Sequence, residues 1–138
     1  MDNKRPPFNW SDAWLLLAIS VASHPGPANL EKVIATGDGI NFALFTPDEL
    51  ESGLVRLTEA GYITEKSGSF SVTEKVQPHL QTLLATDRPG HERLLEAQEM
   101  LGAAAAVDDP PCRNNLRYPG FSQKQYEEAV QNYQGYLR

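Results

Sequence analysis

The sequence is poor in the residues that build covalent or metal-held frameworks. Cys112 is its only cysteine, so the chain can form no intrachain disulfide and no cysteine-rich zinc site. The three histidines, His24, His79 and His91, are not spaced three or four residues apart as ligands on one helix would be. With 138 residues, the chain is long enough to bury a core without disulfides or a bound metal. We therefore predict a fold without a metal or a cofactor.

Sequence motifs of enzymatic chemistry are also missing. The chain has neither a P-loop nor a G-x-S-x-G pattern. The glycine-bearing stretch ATGDGIN at 35–41 lacks the lysine and the preceding strand of a phosphate loop, so it favours helix packing. Cys112 lies near Arg113 and Arg117, but no general base can be assigned to it, and a loop or core thiol is the better interpretation. We predict that the protein is not an enzyme.

Positive charge is scarce. Twelve Lys and Arg residues stand against 18 Asp and Glu, which gives a net charge of −6. Residues 1–84 hold six cationic and ten acidic residues, a net of −4, and residues 85–138 hold six and eight, a net of −2. Proteins that bind nucleic acid depend on Lys and Arg contacts with phosphate. The charge therefore argues against DNA binding, most strongly for the N-terminal part.

The sequence has no apolar run that could span a bilayer. The run Trp14–Ala22, WLLLAISVA, is far too short for that. It has the length of a signal-peptide core and follows Lys4 and Arg5, but Asp12 adjoins it and a small-x-small cleavage site is lacking. We predict a buried first helix with Ser11 as its N-cap, in a cytoplasmic protein without a membrane segment.

The strongest local signals mark a third helix. Thr46 and Glu49 form a capping box, in which each side chain accepts a hydrogen bond from the other residue's backbone N–H. Pro47 fits the first helical position, and Gly61 fits a left-handed C-terminal cap. The predicted buried stripe consists of Leu50, Gly53, Leu54 and Leu57.

The second helix is less well marked. Apolar residues recur at helical spacing from position 30 to position 40, which predicts a helix that continues to about Asn41. Gly37 and Gly39 each cost about 1 kcal/mol relative to alanine in a helix interior. The helix therefore either ends near Thr36, or continues because the glycines permit close packing, and we favour continuation.

A hairpin and further helices follow the third helix. The pattern changes to a period of two in Tyr62–Glu65 and Phe70–Thr73, which predicts two strands joined through Lys66–Ser69. A further helix is predicted to open at Thr73 or Glu74 and reach about Leu84, or to start at Gln77, because Pro78 lies inside that span. Residues from about 89 to 101 also have a helical pattern.

An amphipathic helix is predicted at the C-terminal end. Ser122 and Gln125 form a second capping box that opens it. Tyrosine is enriched at protein interfaces, so the apolar face of this helix is a candidate surface for self-association as a homodimer. Packing of the same face onto the N-terminal part is an equally good interpretation. The face consists of Tyr126, Val130, Tyr133 and Leu137.

The order of two helices, a capped helix and a hairpin resembles the winged helix-turn-helix domain of bacterial transcriptional regulators. The segment that carries the resemblance is FTPDELESGLVRLTEAGYITEKSGSFSVTEK, and LVRLTEAGYI is its most specific part. The resemblance covers about residues 11–84. It implies a mainly α fold with a small two-stranded β-hairpin, in a winged-helix-like domain over 1–84. A helical C-terminal extension over 85–138 would pack on this domain or form an oligomer interface.

The resemblance also implies that duplex DNA would be read by the helix 47–60 and the hairpin 62–73. Acidic residues, however, occupy positions of that helix where a phosphate-bound helix would carry cations. We therefore predict a non-enzymatic module that acts through protein–protein contacts, with a protein partner or itself. The alternative is a DNA-binding transcriptional regulator that uses Arg56 and Lys66. The candidate interaction surface consists of Asp48, Glu51, Ser52, Val55, Arg56 and Lys66.

Overall fold

The protein is mainly helical and has a small three-stranded antiparallel sheet. The computed structural model describes residues 10–23, 26–41, 43–84, 92, 96–97, 99, 118 and 121–136. The prediction of a mainly α fold with a small hairpin is confirmed. Along the chain lie α1 (Trp10–Ala22), β1 (Ala28–Asn29), α2 (Leu30–Asn41), α3 (Pro47–Glu59), β2 (Ile63–Lys66), β3 (Ser69–Val72), α4 (Gln77–Leu84) and α5 (Gln123–Tyr136).

The sheet has the strand order β1-β3-β2, so the hairpin gains a third strand that the sequence pattern did not predict. β1 has two residues, too few for a period-two pattern, and its Ala28 pairs with Phe70 of β3. The hairpin turn is shorter than predicted. Ser67 and Gly68 alone connect the strands, with φ angles of 53° and 82°. Two consecutive positive φ angles are characteristic of the type I′ turn that suits tight hairpins.

Helix α1 is buried on nearly all sides, which explains its continuous apolar sequence. The residues from Ala13 to Ile19 are all buried, and α1 packs against both α2 and α3. A helix that is apolar all round belongs in a core. The helix begins at Trp10, one residue before the predicted N-cap Ser11.

Helix α2 continues to Asn41, as predicted, and Gly37 is the reason it packs closely. An ideal Cβ built on Gly37 would lie 2.3 Å from Cε2 of Phe45. The Phe45 ring stacks on Trp14, with 3.8 Å between ring centroids, and Trp14 Nε1 donates a hydrogen bond of 2.9 Å to the Gly37 carbonyl. The α1–α2 contact therefore depends on the missing side chain of Gly37.

Both ends of α3 are capped. Glu49 N–H donates to Thr46 Oγ1 at 3.1 Å and Thr46 N–H donates to Glu49 Oε1 at 2.8 Å, which confirms the capping box. At the other end, Gly61 has a φ of 79° and turns the chain into β2. The Lys75 ammonium donates to the Ala60 carbonyl at 2.9 Å and lies 5.1 Å from the centroid of the Tyr62 ring. Lys75 thus neutralises the negative end of the helix dipole.

The last helix, α5, packs on α2. The predicted capping box of Ser122 and Gln125 is present at its start. The Tyr126 hydroxyl donates to the Phe45 carbonyl just before α3, and the Tyr133 hydroxyl donates to Asp38 Oδ2 of α2 at 2.6 Å. These tyrosines and half-buried Val130 pack against the hydrophobic core.

Three tyrosines, two of them on α5, predict a loss of stability at high pH. The hydrogen bond to Asp38, together with burial and the charge of that carboxylate, raises the pKa of the Tyr133 phenol above 10.0. Burial raises the pKa of Tyr62, and burial and the charge of Glu49 raise that of Tyr126. A raised folded-state pKa gives stability that is complete below the unfolded-state pKa and is lost as the pH rises through the folded one. The free energy of unfolding, measured with urea, should therefore fall above pH 10.

The variant Tyr133→Phe tests this assignment. It removes one hydrogen bond and should lower the free energy of unfolding at neutral pH by about 0.5–1.5 kcal/mol. Because it also removes one titrating phenol, its stability should fall less steeply with alkaline pH than that of the parent. Identical slopes in the two proteins would show that Tyr133 does not contribute.

Candidate interaction surface

Arg56, the predicted DNA-contacting cation of α3, does not face solvent. Its Nε donates to Asp12 Oδ2 at 2.7 Å and its Nη2 donates to Asp12 Oδ1 at 2.9 Å. Asp12 is fully buried and Arg56 is 7% exposed. The Arg56 side chain thus forms a bidentate ion pair with Asp12 of α1, and its contact with a partner stays a prediction. Gly53 gives the carboxylate room, since an ideal Cβ at that position would lie 3.0 Å from Asp12 Oδ1.

The rest of the predicted surface is only partly available. Ser52 is buried, and its hydroxyl donates to Asp48 Oδ1 at 2.9 Å. Val55 and Glu51 are half-buried, whereas Asp48 is exposed. Lys66 is exposed on the hairpin, away from α3 in sequence. The six residues do not form one exposed patch.

The exposed and half-buried part of α3 is acidic. Asp48 and Glu59 are exposed, and Glu49 and Glu51 are half-buried. The structure describes every residue of α3, and its one cation is the buried Arg56. This face would repel a phosphate backbone.

Tyr118, far along the chain, lies against α3. The Tyr118 backbone N–H donates to Glu51 Oε2 at 2.9 Å, and the Tyr118 ring lies 6.4 Å from the ring of Phe70 in β3. Tyr118 therefore bridges the third helix and the hairpin, the two elements that would have to contact DNA together. No sequence signal marks Tyr118, because it lies in a stretch of sequence without a periodic pattern.

Beside Tyr118 lies a cleft of about 290 Å³ between the start of α2, the hairpin and α5. Aromatic and aliphatic side chains form its apolar part, and carboxylates and amides complete its lining. Phe70, which is 6% exposed, lines it together with half-buried Leu30 and Phe121. The acidic lining residues are Glu31, Glu65 and Glu128, and the amides are Asn29, Gln125 and Asn132.

Neither a metal-binding group nor a membrane-spanning helix is found among the described residues. They contain no group of three His, Cys, Asp or Glu side chains arranged to hold a metal ion. Of the helices in this part of the chain, none combines the length and the apolar character needed to cross a bilayer. Leu137 and Cys112 lie outside the described residues, as does most of the helix predicted over 89–101.

Comparison of the chain with protein-family models, with curated proteins and with solved structures finds no match.

Proposed function

We propose that the protein is a non-enzymatic, winged-helix-like module of the cytoplasm that acts through contacts with another protein. The observation that carries the proposal is the burial of Arg56 against Asp12, which leaves the solvent-accessible part of α3 acidic. A helix of this kind provides no phosphate contacts, and such contacts dominate affinity for DNA.

The position of the C-terminal segment supports the same proposal. Tyr118 contacts Glu51 and Phe70, so it occupies the space between α3 and the hairpin. Tyr126 is hydrogen-bonded to the residue before the α3 N-cap. A winged-helix reader of DNA needs its third helix to enter the major groove, and these contacts lie at Glu51 of that helix and just before its N-cap.

Self-association through α5 is not part of the proposal. The face expected for a homodimer uses Tyr126, Val130 and Tyr133, and these residues pack on the N-terminal unit within one chain. We therefore infer that the partner is a different protein that contacts another surface.

Fluorescence anisotropy with a random-sequence pool of duplex DNA tests the proposal. At physiological salt we expect binding no tighter than the non-specific range of about 10⁻⁴–10⁻⁶ M, and no sequence retained after repeated selection. Two exposed lysines provide a matched pair, Lys66→Ala on the hairpin and Lys124→Ala on α5.

The contrary result is a selected sequence whose log affinity falls linearly with log salt concentration. If Lys66→Ala weakened that binding and Lys124→Ala did not, the hairpin would be a DNA contact and the alternative, a DNA-binding regulator, would replace the proposal.

A further inference from the structure

The cleft between α2, the hairpin and α5 combines aromatic rings with carboxylates. Phe70 and Tyr118 belong to the tilted ring pair already described, and Phe121 lines the same cleft. The described lining residues include three glutamates and no lysine, arginine or histidine. Aromatic faces attract cations through the ring quadrupole, and carboxylates attract them by charge.

We propose that this cleft binds an arginine or lysine side chain, with an adjoining apolar side chain, from a segment of the partner protein. The inference rests on the proposed function, because it names the chemistry of the partner. The cationic group would lie among the glutamates, and the aliphatic stem and the neighbouring apolar side chain would lie on the aromatic part.

Glu31 and Glu128 are the two carboxylates best suited to bind the cationic group of the partner. Glu65 Oε2 accepts a hydrogen bond of 2.7 Å from the Gly68 backbone N–H and so also holds the hairpin turn. Glu128 lies 4.0 Å from Lys124 Nζ, a long and exposed contact of the kind that contributes little. Glu31 lies in the first turn of α2. Glu31 and Glu128 therefore offer charge from two different elements on the cleft lining.

The size of the cleft fits a small part of a partner and not a large ligand. Sites for drug-sized molecules enclose about 300–1,000 Å³. A volume of about 290 Å³ lies at the lower limit of that range. One long cationic side chain and one neighbouring apolar group match such a volume, and the net charge of −6 favours a basic segment.

The test is a titration followed by ¹H–¹⁵N NMR, with two acetylated and amidated pentapeptides. Both have a central residue between two leucines. That residue is arginine in one and citrulline, its uncharged analogue, in the other. We expect the arginine peptide to bind about tenfold more tightly, because it adds cation–π and charge interactions. The chemical-shift changes should be confined to residues that line the cleft.

A double variant, Glu31→Gln with Glu128→Gln, should remove most of the preference for arginine. The matched control is Glu74→Gln with Glu127→Gln, which removes the same charge from exposed positions outside the cleft lining and should keep the preference. Equal binding of the two peptides, shifts at a distant surface, or equal loss in both double variants would overturn the inference. None of these results depends on DNA, whereas duplex binding by the unmodified protein would overturn the proposed function itself.

Discussion

Replacing Arg56 with leucine is expected to lower the free energy of unfolding by about 3–5 kcal/mol, because it leaves a buried carboxylate without its guanidinium. Asp12 is fully buried, and both of its oxygens accept hydrogen bonds from Arg56. The loss would appear in urea denaturation as a lower midpoint at an unchanged m-value. A loss below 1 kcal/mol would show that the pair behaves like an exposed salt bridge.

The double variant Asp12→Leu with Arg56→Leu distinguishes the effect of the unpaired charge from the effect of changed packing at the two positions. Replacing both members of a buried ion pair by apolar groups is often neutral or stabilising, so the double variant should recover most of the loss. Lys66→Ala serves as the control for removing a cation, since a change at an exposed position stays within about 0.5 kcal/mol. A double variant as unstable as Arg56→Leu alone would assign the loss to packing instead of to the stranded charge.

The same result bears on any binding assay that uses Arg56. In the DNA-binding alternative, Arg56→Ala weakens binding because a contact is lost. Since the side chain is 7% exposed and bound to α1, the variant would weaken any activity by destabilising the fold. Lys66, which is exposed, is therefore the residue that tests DNA contact without this ambiguity.

The elements that the sequence predicted well are those whose signals are local. The two capping boxes join residues three positions apart, and Gly61 acts on the turn that it occupies. These signals need no knowledge of the fold, and the structure confirms them. The hairpin turn is one residue shorter at each end than predicted, because a period-two pattern does not distinguish a two-residue type I′ connection from a four-residue loop.

The features that the sequence did not predict depend on residues far apart in the chain. Asp12 and Arg56 are separated by 44 positions. An aspartate in the first turn of a helix has the same local pattern whether it faces water or a buried guanidinium. In the sequence, Gly53 indicates close packing on that side of α3, but it does not identify the buried carboxylate as the neighbour. The cleft was not predicted for the same reason, because Phe70 lies about 50 positions before Tyr118 and Phe121 in the chain.

Gly37→Ala is expected to destabilise the protein, although alanine is the better helix former. The new Cβ would lie 2.3 Å from Cε2 and 2.9 Å from Cζ of Phe45, which real contacts do not permit. Phe45 is fully buried and stacks on Trp14, so its ring has little room to move. Overpacking of a core costs about 1–3 kcal/mol and outweighs the gain of about 1 kcal/mol in helix propensity.

Gly39→Ala provides the matched control, because it makes the same chemical change two residues further along α2. No atom lies within 4 Å of an ideal Cβ at Gly39, and this residue is exposed. The variant should gain about 0.5–1 kcal/mol, since alanine loses less conformational entropy in a helix. Thermal unfolding of the two variants should therefore shift in opposite directions from the parent. If both variants were stabilised, the Phe45 ring would have moved to accept the methyl group, and the fixed contact between α1, α2 and Phe45 would not exist.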